Sequence, residues 1–214
     1  MNDGDTDVLH QPIAHLWLVI PVKPFAEAKS RLAQVLSSVE RALLMQTLLL
    51  RVLAAAKSSG LFAGILVVSR DAQVHALADA HGAIGIPEQG NDLNGALEEA
   101  RRWLPETAQA LLVLPADLPE VTGEVLREFV ARAHPASNES LVAIAPSETN
   151  GTNALLLVPP NAIPFAFGVQ AGVESSVRHA HLALEQGARL VTIQSSALAF
   201  DVDLPADYLL FKEQ

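Results

Sequence analysis

Short runs of apolar residues alternate along the chain with longer stretches in which apolar side chains recur every three or four positions. The short runs are bounded by proline, glycine or polar residues, which is typical of buried strands. They predict strands at 16–22, 63–69, 83–86, 110–114, 141–145, 154–158 and 190–193, with a last short extended piece at 200–203.

The longer stretches predict helices with recognisable ends. Ser37 and Glu40 stand at the spacing of a capping box, and Gly60 is the expected stop of the same helix. Further helices are predicted at 71–81, 93–103, 122–133 and 173–186. Strands that alternate with helices of this length predict a single-domain, three-layer α/β/α fold around a mainly parallel sheet, with a mixed portion after residue 140.

The domain boundaries follow from the same pattern. Residues 1–12 are polar and lack periodicity, so we expect a disordered tail there. Residues 13–214 contain no internal repeat and no long linker, and we expect them to form one domain. The wide aliphatic stripe of the first helix would also accommodate a second copy of the chain, so a homodimer is compatible with the sequence.

Composition and charge narrow the function classes. The 214 residues carry a net charge of −10, which argues against a nucleic-acid partner because such a surface must neutralise phosphates. The chain has no cysteine, which excludes disulfides, thiolate catalysis and cysteine zinc sites. It shows neither a signal peptide nor an apolar run approaching the roughly 20 residues of a membrane helix. We expect a cytoplasmic protein with no membrane partner.

The loop after the first predicted strand is rich in positive charge. Lys23, Lys29 and Arg31 fall within nine residues, and fixed cations in such a loop suit the binding of a triphosphate. A solvated basic loop explains the segment equally well on its own. The chain contains neither the P-loop motif nor the glycine motif of dinucleotide-binding folds.

Carboxylates follow two later strands. Asp117 lies just past an apolar strand between Pro115 and Pro119, and its oxygen can bind Mg²⁺. Its alternative role is to cap the next helix, for which Thr122 is better placed. Asp201 and Asp203 stand at the i, i+2 spacing of an extended segment and can converge on one cation, although such a pair also arises by chance.

The loop 146–153, Gly168 and the segment 172–176 offer small polar groups and backbone N–H donors. Together with a helix that begins near Gly172, they can bind an anion. Taken alone, this segment reads more simply as a turn followed by an ordinary helix cap.

Six segments, in the order of the chain, resemble the guanylyltransferases of coenzyme F420 biosynthesis. They are IPVKPFAEAKSRL at 20–32, DLNGALEEA at 92–100, LPADLP at 114–119, NGTNALLL at 150–157, GVESSVRH at 172–179 and DVDLPADY at 201–208. The resemblance implies a nucleotide-diphospho-sugar-transferase-like fold. It also implies GTP as donor and a phosphorylated three-carbon acid as acceptor: phosphoenolpyruvate, 2-phospho-L-lactate or 3-phosphoglycerate.

The resemblance also assigns residues. The metal ligands of the family fall on Asp117, Asp201 and Asp203, and its acceptor-binding residues fall on Thr152, Gly172 and Ser175. The family usually reads close to FGxxSxxxH, whereas here Ala171 precedes Gly172 and a separate Phe167-Gly168 pair lies four residues earlier. Gly168 is therefore the alternative to Gly172.

We expect direct attack of the acceptor phosphate on the α-phosphorus of GTP. Asp117, Asp201 and Asp203 would hold Mg²⁺, and the three cations of the first loop would neutralise charge. Residues expected beside the nucleotide are Pro87, Glu88, Leu93, Asn94 and Pro115. The alternatives are a glycosyltransferase of the same fold and a non-catalytic nucleotide-binding module.

Overall fold

A computed structural model describes residues 15–90, 92–134 and 139–213. The predicted tail at 1–12 lies outside these residues. The strands are β1 (Leu16–Pro21), β2 (Phe62–Ser69), β3 (Ile84–Pro87), β4 (Ala110–Val113), β5 (Leu141–Pro146), β6 (Thr152–Val158) and β7 (Arg189–Thr192). The helices are α1 (Ser38–Ser59), α2 (Ala72–Ala80), α3 (Leu93–Arg102), α4 (Gly123–Ala133), α5 (Ser175–Glu185), α6 (Ser196–Ala199) and α7 (Pro205–Lys212).

All seven strands form one sheet in the order β3-β2-β1-β4-β6-β5-β7. Only β6 runs against its neighbours, pairing antiparallel with β4 through Val113 and Leu155 and with β5 on its other side. The prediction of a mainly parallel sheet with a late mixed portion is therefore confirmed. Because β6 is reversed, its first residue, Thr152, lies at the edge where the parallel strands end.

Two cores cover the two faces of the sheet. Side chains from α1, α2, α4 and α7 pack on one face, around fully buried residues such as Leu48 and Phe129. The other face is covered by α3 and α5, around residues such as Leu97 and Ala183. The central strands β1 and β4 are buried on both sides, which explains why their sequences are almost continuously apolar. The three-layer α/β/α prediction is confirmed.

The helix ends follow the sequence signals. The Ser37 side chain accepts from the backbone N–H of Glu40, whose carboxylate accepts from the backbone N–H of Ser37, and Gly60 ends α1 with a φ of 68°. Thr122 caps α4 by accepting from the backbone N–H of Val125 at 3.2 Å.

Three helical segments were not expected from the apolar pattern: the 3₁₀ helix Ser30–Gln34, α6 and α7. The predicted extended piece at 200–203 is not paired with any strand that the structure describes. Instead it leads into α7, whose start is fixed by Asp207. The carboxylate of Asp207 accepts from the backbone N–H groups of Asp203 and Leu204 at 3.0 and 2.6 Å.

Among the described residues, no helix combines the length and the apolar character that a membrane crossing requires.

Gly123 lets α4 begin directly against the end of α1. A Cβ at this position would lie 2.8 Å from the backbone nitrogen of Ser59 and 2.9 Å from the carbonyl carbon of Ser58. We therefore expect Gly123→Ala to lower the free energy of unfolding by about 1–3 kcal/mol, because backbone must move to admit the methyl group. Urea denaturation measures the change.

Gly95→Ala is the matched control, since Gly95 also lies in the first turn of a helix. Its added Cβ would meet nothing closer than the Asp92 carboxylate at 3.5 Å. Alanine there should be neutral or stabilise by up to about 1 kcal/mol. Equal losses in the two variants would contradict the close contact between α1 and α4.

Candidate active site

The candidate site lies at the edge of the sheet where the parallel strands end. Along this edge, Glu88 follows β3, Arg70 follows β2, Lys23 follows β1 and Asp117 follows β4. Next to β4, the reversed strand β6 begins with Thr152. Loops from five neighbouring strands therefore meet in one row, which is where open α/β sheets bind ligands.

The loop after β1 is folded back by buried anchors. Phe25, Ala28 and Leu32 are buried in the core, and the backbone N–H of Phe25 donates to the Asp71 carboxylate at 3.0 Å. Lys29 adopts a left-handed conformation with a φ of 51°, immediately before the 3₁₀ helix. Lysine rarely takes this conformation, so the side chain of Lys29 is held where the surrounding contacts require it.

The Lys29 ammonium joins two of the predicted aspartates. It lies 2.6 Å from Asp117 Oδ2 and 2.9 Å from Asp203 Oδ1, and only 5% of the Lys29 side chain is exposed. Arg31 Nη1 lies 3.1 Å from the other oxygen of Asp203 but is largely exposed. Along the chain, Asp117 and Asp203 lie 88 and 174 residues from Lys29, and the fold brings the three side chains together.

Asp201 completes the group of carboxylates. One oxygen from each of Asp117, Asp201 and Asp203 lies within 4.8 Å of the others. The backbone N–H of Val202 donates to the Asp117 carbonyl at 3.2 Å, which holds the two segments side by side. Asn153 Nδ2 donates to Asp201 Oδ1 at 3.3 Å. The donor set is all oxygen, which suits a hard divalent cation.

The pKa values reflect this crowding of charge. Burial, followed by repulsion from Asp117 and Asp203, raises the pKa of Asp201 to about 6, although Asn153 and Lys29 oppose the rise. Burial also acts on Asp203, but Lys29, Arg31 and Lys23 outweigh it and hold its pKa below the ordinary value. Burial opposes the charge of Lys29, yet the two carboxylates keep its pKa above the ordinary value. The cations therefore outweigh burial at Asp203, whereas burial and repulsion outweigh them at Asp201.

A cleft of about 830 Å³ opens beside these charges. Of the predicted residues, its walls include Lys23, Lys29, Arg31, Glu88, Leu93, Pro115, Asp117 and Asp203. At the end of the cleft remote from the aspartates, only 11% of the Glu88 side chain is exposed, and Arg70 Nε lies 3.9 Å from its carboxylate. Burial raises the pKa of Glu88, while Arg70 opposes the rise.

Pro87 and Asn94, also predicted beside the nucleotide, are not among the residues that line the cleft. Pro87 is the last residue of β3, paired with Ser69 of β2. The amide of Asn94 is bound to the backbone of Phe167, accepting from its N–H at 2.7 Å and donating to its carbonyl at 3.2 Å. Asn94 therefore connects α3 to the loop that precedes α5.

The three residues assigned to the acceptor by resemblance lie around the start of α5. The Ser175 hydroxyl donates to Thr152 Oγ1 at 3.0 Å, and both side chains are buried. Gly172 lies in a tight two-residue turn with Ala171, in which both residues have positive φ. Gly168 also has a positive φ, and its carbonyl accepts from Arg178 at 3.3 Å.

The sequence pattern did not predict a role for three residues of this region. Arg70 lines the cleft, Asn153 binds Asp201, and His179 binds Thr152. His179 lies four residues after Ser175, so the two side chains share one face of the helix, and this spacing was the signal in the sequence that could have found His179. His179 is buried, whereas His181, two residues further along the same helix, is mostly exposed.

Solved structures share this fold. A nucleotidyl transferase from Methanothermobacter thermautotroptrophicus superposes with a TM-score of 0.62 at 16% identity, covering 93% of this chain and 96% of the other. CMP:2-keto-3-deoxy-manno-octonic acid synthetase, solved with CTP, also gives a TM-score of 0.62, at 14% identity, over 94% of this chain and all of the other. At these identities the likeness shows the fold alone.

Sequence similarity identifies the family. Residues 16–211 match the family described as guanylyl transferase CofC like, and the chain belongs to that family. Phosphoenolpyruvate guanylyltransferase of Rubrobacter xylanophilus is 43% identical over 90% of this chain and 91% of its own length. The 3-phospho-D-glycerate guanylyltransferase of Colwellia psychrerythraea is 33% identical over 89% and 88%. The resemblance read from the sequence motifs is confirmed.

The bridging position of Lys29 predicts a loss of stability on its removal. Lys29→Met should lower the free energy of unfolding by about 2–4 kcal/mol at neutral pH, because it leaves Asp117 and Asp203 partly buried without their cation. The partial exposure of Asp203 keeps the loss below that of a fully buried pair. Thermal and urea denaturation in chelator measure the change.

Arg31→Met is the control, since the Arg31 side chain is 69% exposed. Its loss should stay below about 1 kcal/mol. If Lys29→Met is no more destabilised than Arg31→Met, Lys29 does not hold the carboxylates together.

Proposed function

We propose that this chain transfers GMP from GTP to a phosphorylated three-carbon acid and releases pyrophosphate, as a step of coenzyme F420 biosynthesis. Phosphoenolpyruvate is the first candidate acceptor, since the relative at 43% identity is named for it. The main support for the proposal is the pair of salt bridges that Lys29 forms with Asp117 and Asp203 at the wall of the cleft. Cations and metal-binding carboxylates in contact are what the transfer of a nucleotidyl group requires.

The order of the strands supports one direction for GTP. Glu88 and Asp117 follow strands that are three positions apart in the sheet, roughly 14 Å at the usual strand spacing. We place the guanine beside Glu88 and Leu93, the ribose between, and the triphosphate beside the cations. A carboxylate such as Glu88 can accept from N1–H and the 2-amino group of guanine, which adenine does not offer.

Asp117, Asp201 and Asp203 would hold Mg²⁺, which supplies charge neutralisation at the triphosphate when bound. The fit rests on the oxygen-only donor set and on the Lys29 ammonium, a cation that already contacts two of the three carboxylates. Lys23, Lys29 and Arg31 would neutralise the charge that develops on the pyrophosphate leaving group.

The acid would bind beside the metal ligands. Thr152 begins the strand next to β4, and Asn153 already contacts Asp201. Thr152, Gly172 and Ser175 would hold the acid at the N-terminus of α5, where backbone N–H groups and the helix dipole favour an anion. Gly172 is favoured over Gly168 because it lies three residues before Ser175, which is the spacing of glycine and serine in the family pattern.

In the reaction, a phosphate oxygen of the acid forms a bond to the α-phosphorus of GTP. The bond from that phosphorus to the bridging oxygen of the β-phosphate breaks, and its electron pair leaves with pyrophosphate. An ionised phosphate is already a nucleophile at neutral pH, so no protein base is needed. The contributions of the protein are alignment and charge stabilisation.

A matrix of four nucleotides against phosphoenolpyruvate, 2-phospho-L-lactate and 3-phosphoglycerate tests the function. We expect equal amounts of pyrophosphate and of a GMP–acid conjugate by mass spectrometry, with GTP as the preferred donor. Pyrophosphate without a conjugate, or turnover of a nucleotide sugar instead, would contradict the proposal. Nucleotide binding without turnover of any acid would indicate a non-catalytic module.

We expect Asp117→Asn to lower kcat at least about a hundredfold while the fold remains intact, because the change removes a charge from the proposed metal site and no core volume. Steady-state kinetics with varied Mg²⁺ measure the loss. Glu106→Gln removes one carboxylate from an exposed loop and serves as the control. Near-wild-type, Mg²⁺-dependent turnover in Asp117→Asn would exclude this residue as a metal ligand.

We expect Glu88→Gln to raise the KM for GTP about tenfold or more, and to narrow the preference for GTP over ATP, because it removes an acceptor for the guanine edge. The KM for the acid should not change. Glu27→Gln is the matched control, since Glu27 also lines the cleft and pairs with Arg70 but is 54% exposed. Similar nucleotide preference in the two variants would remove Glu88 from base recognition.

A further inference from the structure

The imidazole of His179 lies on α5, fully buried, with both ring nitrogens bound. The backbone N–H of Ala166 donates to Nε2 at 2.9 Å, and Nδ1 lies 3.0 Å from Thr152 Oγ1. A neutral imidazole carries one N–H, and Nε2 is already an acceptor, so the proton lies on Nδ1. His179 therefore donates to the Thr152 hydroxyl.

The Thr152 hydroxyl receives a second hydrogen bond. Ser175 Oγ donates to Thr152 Oγ1 at 3.0 Å. A hydroxyl has two lone pairs and one proton, so these two bonds occupy both lone pairs. Within the described residues, no side chain or backbone group accepts the remaining Thr152 proton. Thr152 can act toward a ligand only as a donor.

We propose that His179 is a positioning residue that fixes the Thr152 hydroxyl as a hydrogen-bond donor to a carboxylate or phosphate oxygen of the acceptor acid. The inference rests on the proposed function, in which Thr152 binds that acid. Without the Nδ1–H group, one lone pair of the Thr152 hydroxyl is left without a donor, and the hydroxyl can rotate to present that lone pair, instead of its proton, to the anion. A hydroxyl that already accepts two bonds is also a stronger donor, because neighbouring hydrogen bonds polarise one another.

The surroundings keep the imidazole neutral and in one orientation. Burial, followed by the charge of Arg178, lowers the pKa of His179 to about 4, so the ring is neutral at the pH of the cell. The ring of Phe167 packs edge-on against it with centroids 4.8 Å apart. The backbone of Phe167 is bound on both sides by the amide of Asn94, which fixes the adjacent Ala166 N–H.

The tautomer is tested first, in the wild-type chain. Long-range ¹H–¹⁵N NMR of the labelled histidine rings, with His179 assigned by its loss in a variant, should show a protonated Nδ1 and an unprotonated Nε2. A protonated Nε2 would overturn the proposal. This result does not depend on turnover.

A matched pair of substitutions then tests the role. In His179→Asn the amide nitrogen can replace Nδ1, and in His179→Gln the amide oxygen can replace Nε2. Each variant loses one of the two bonds, so both should lose stability to a similar extent. We expect His179→Asn to keep the KM for phosphoenolpyruvate within about threefold, and His179→Gln to raise it about tenfold to a hundredfold, with the Kd of GTP unchanged in both.

Equal KM values for the acid in the two folded variants would show that His179 serves packing only, and a weaker GTP Kd in His179→Gln would place its effect at the donor. If neither variant folds, the tautomer in the wild-type chain decides. If the wild-type chain turns over none of the three acids, the proposed function fails whatever the tautomer is.

Discussion

The site depends on one electrostatic constraint: three carboxylates that approach within 4.8 Å of one another must be balanced by positive charge. Lys29 meets part of this requirement by contacting Asp117 and Asp203. The chain accepts an uncommon left-handed backbone at Lys29 to deliver that ammonium, and the buried anchors of the same loop hold it. Burial, followed by repulsion from Asp117 and Asp203, raises the pKa of Asp201 to about 6, and a divalent cation at this position would relieve that repulsion.

The sheet arranges the other groups around that constraint. Parallel strands end at one edge and supply Glu88, Arg70, Lys23 and Asp117 in spatial order, so a nucleotide can extend along the row. Reversal of β6 brings the beginning of a strand, instead of its end, to the same edge. Thr152 and Asn153 thereby reach the aspartates and the start of α5, and one strand connects the proposed acceptor group with the proposed metal ligands.

Much of this arrangement is readable from the sequence because it depends on local patterns. The buried strands are continuous apolar runs, and capping residues such as Ser37, Gly60 and Thr122 mark helix ends wherever backbone groups need partners. Helix α7 was missed because its four apolar residues, 208–211, are consecutive and show no helical spacing, although only Tyr208 and Phe211 pack against the core while Leu209 and Leu210 are exposed. Its start depends on the Asp207 carboxylate. The bonds from Asn94 to Phe167 and from Asn153 to Asp201 join segments 73 and 48 residues apart, and spacing along the chain contains no trace of them. The family motifs identified candidate roles that these local patterns could not.

In the proposed function, the three aspartates form a cation site that works together with GTP. Mn²⁺ binding, followed by electron paramagnetic resonance at neutral pH with GTP present and the acid omitted, tests it most directly. Asp117→Asn should weaken Mn²⁺ binding at least about tenfold, whereas Glu106→Gln, which removes a carboxylate from an exposed loop and leaves all three aspartates in place, should not. Equal Mn²⁺ affinity in the wild-type chain and in Asp117→Asn would contradict it.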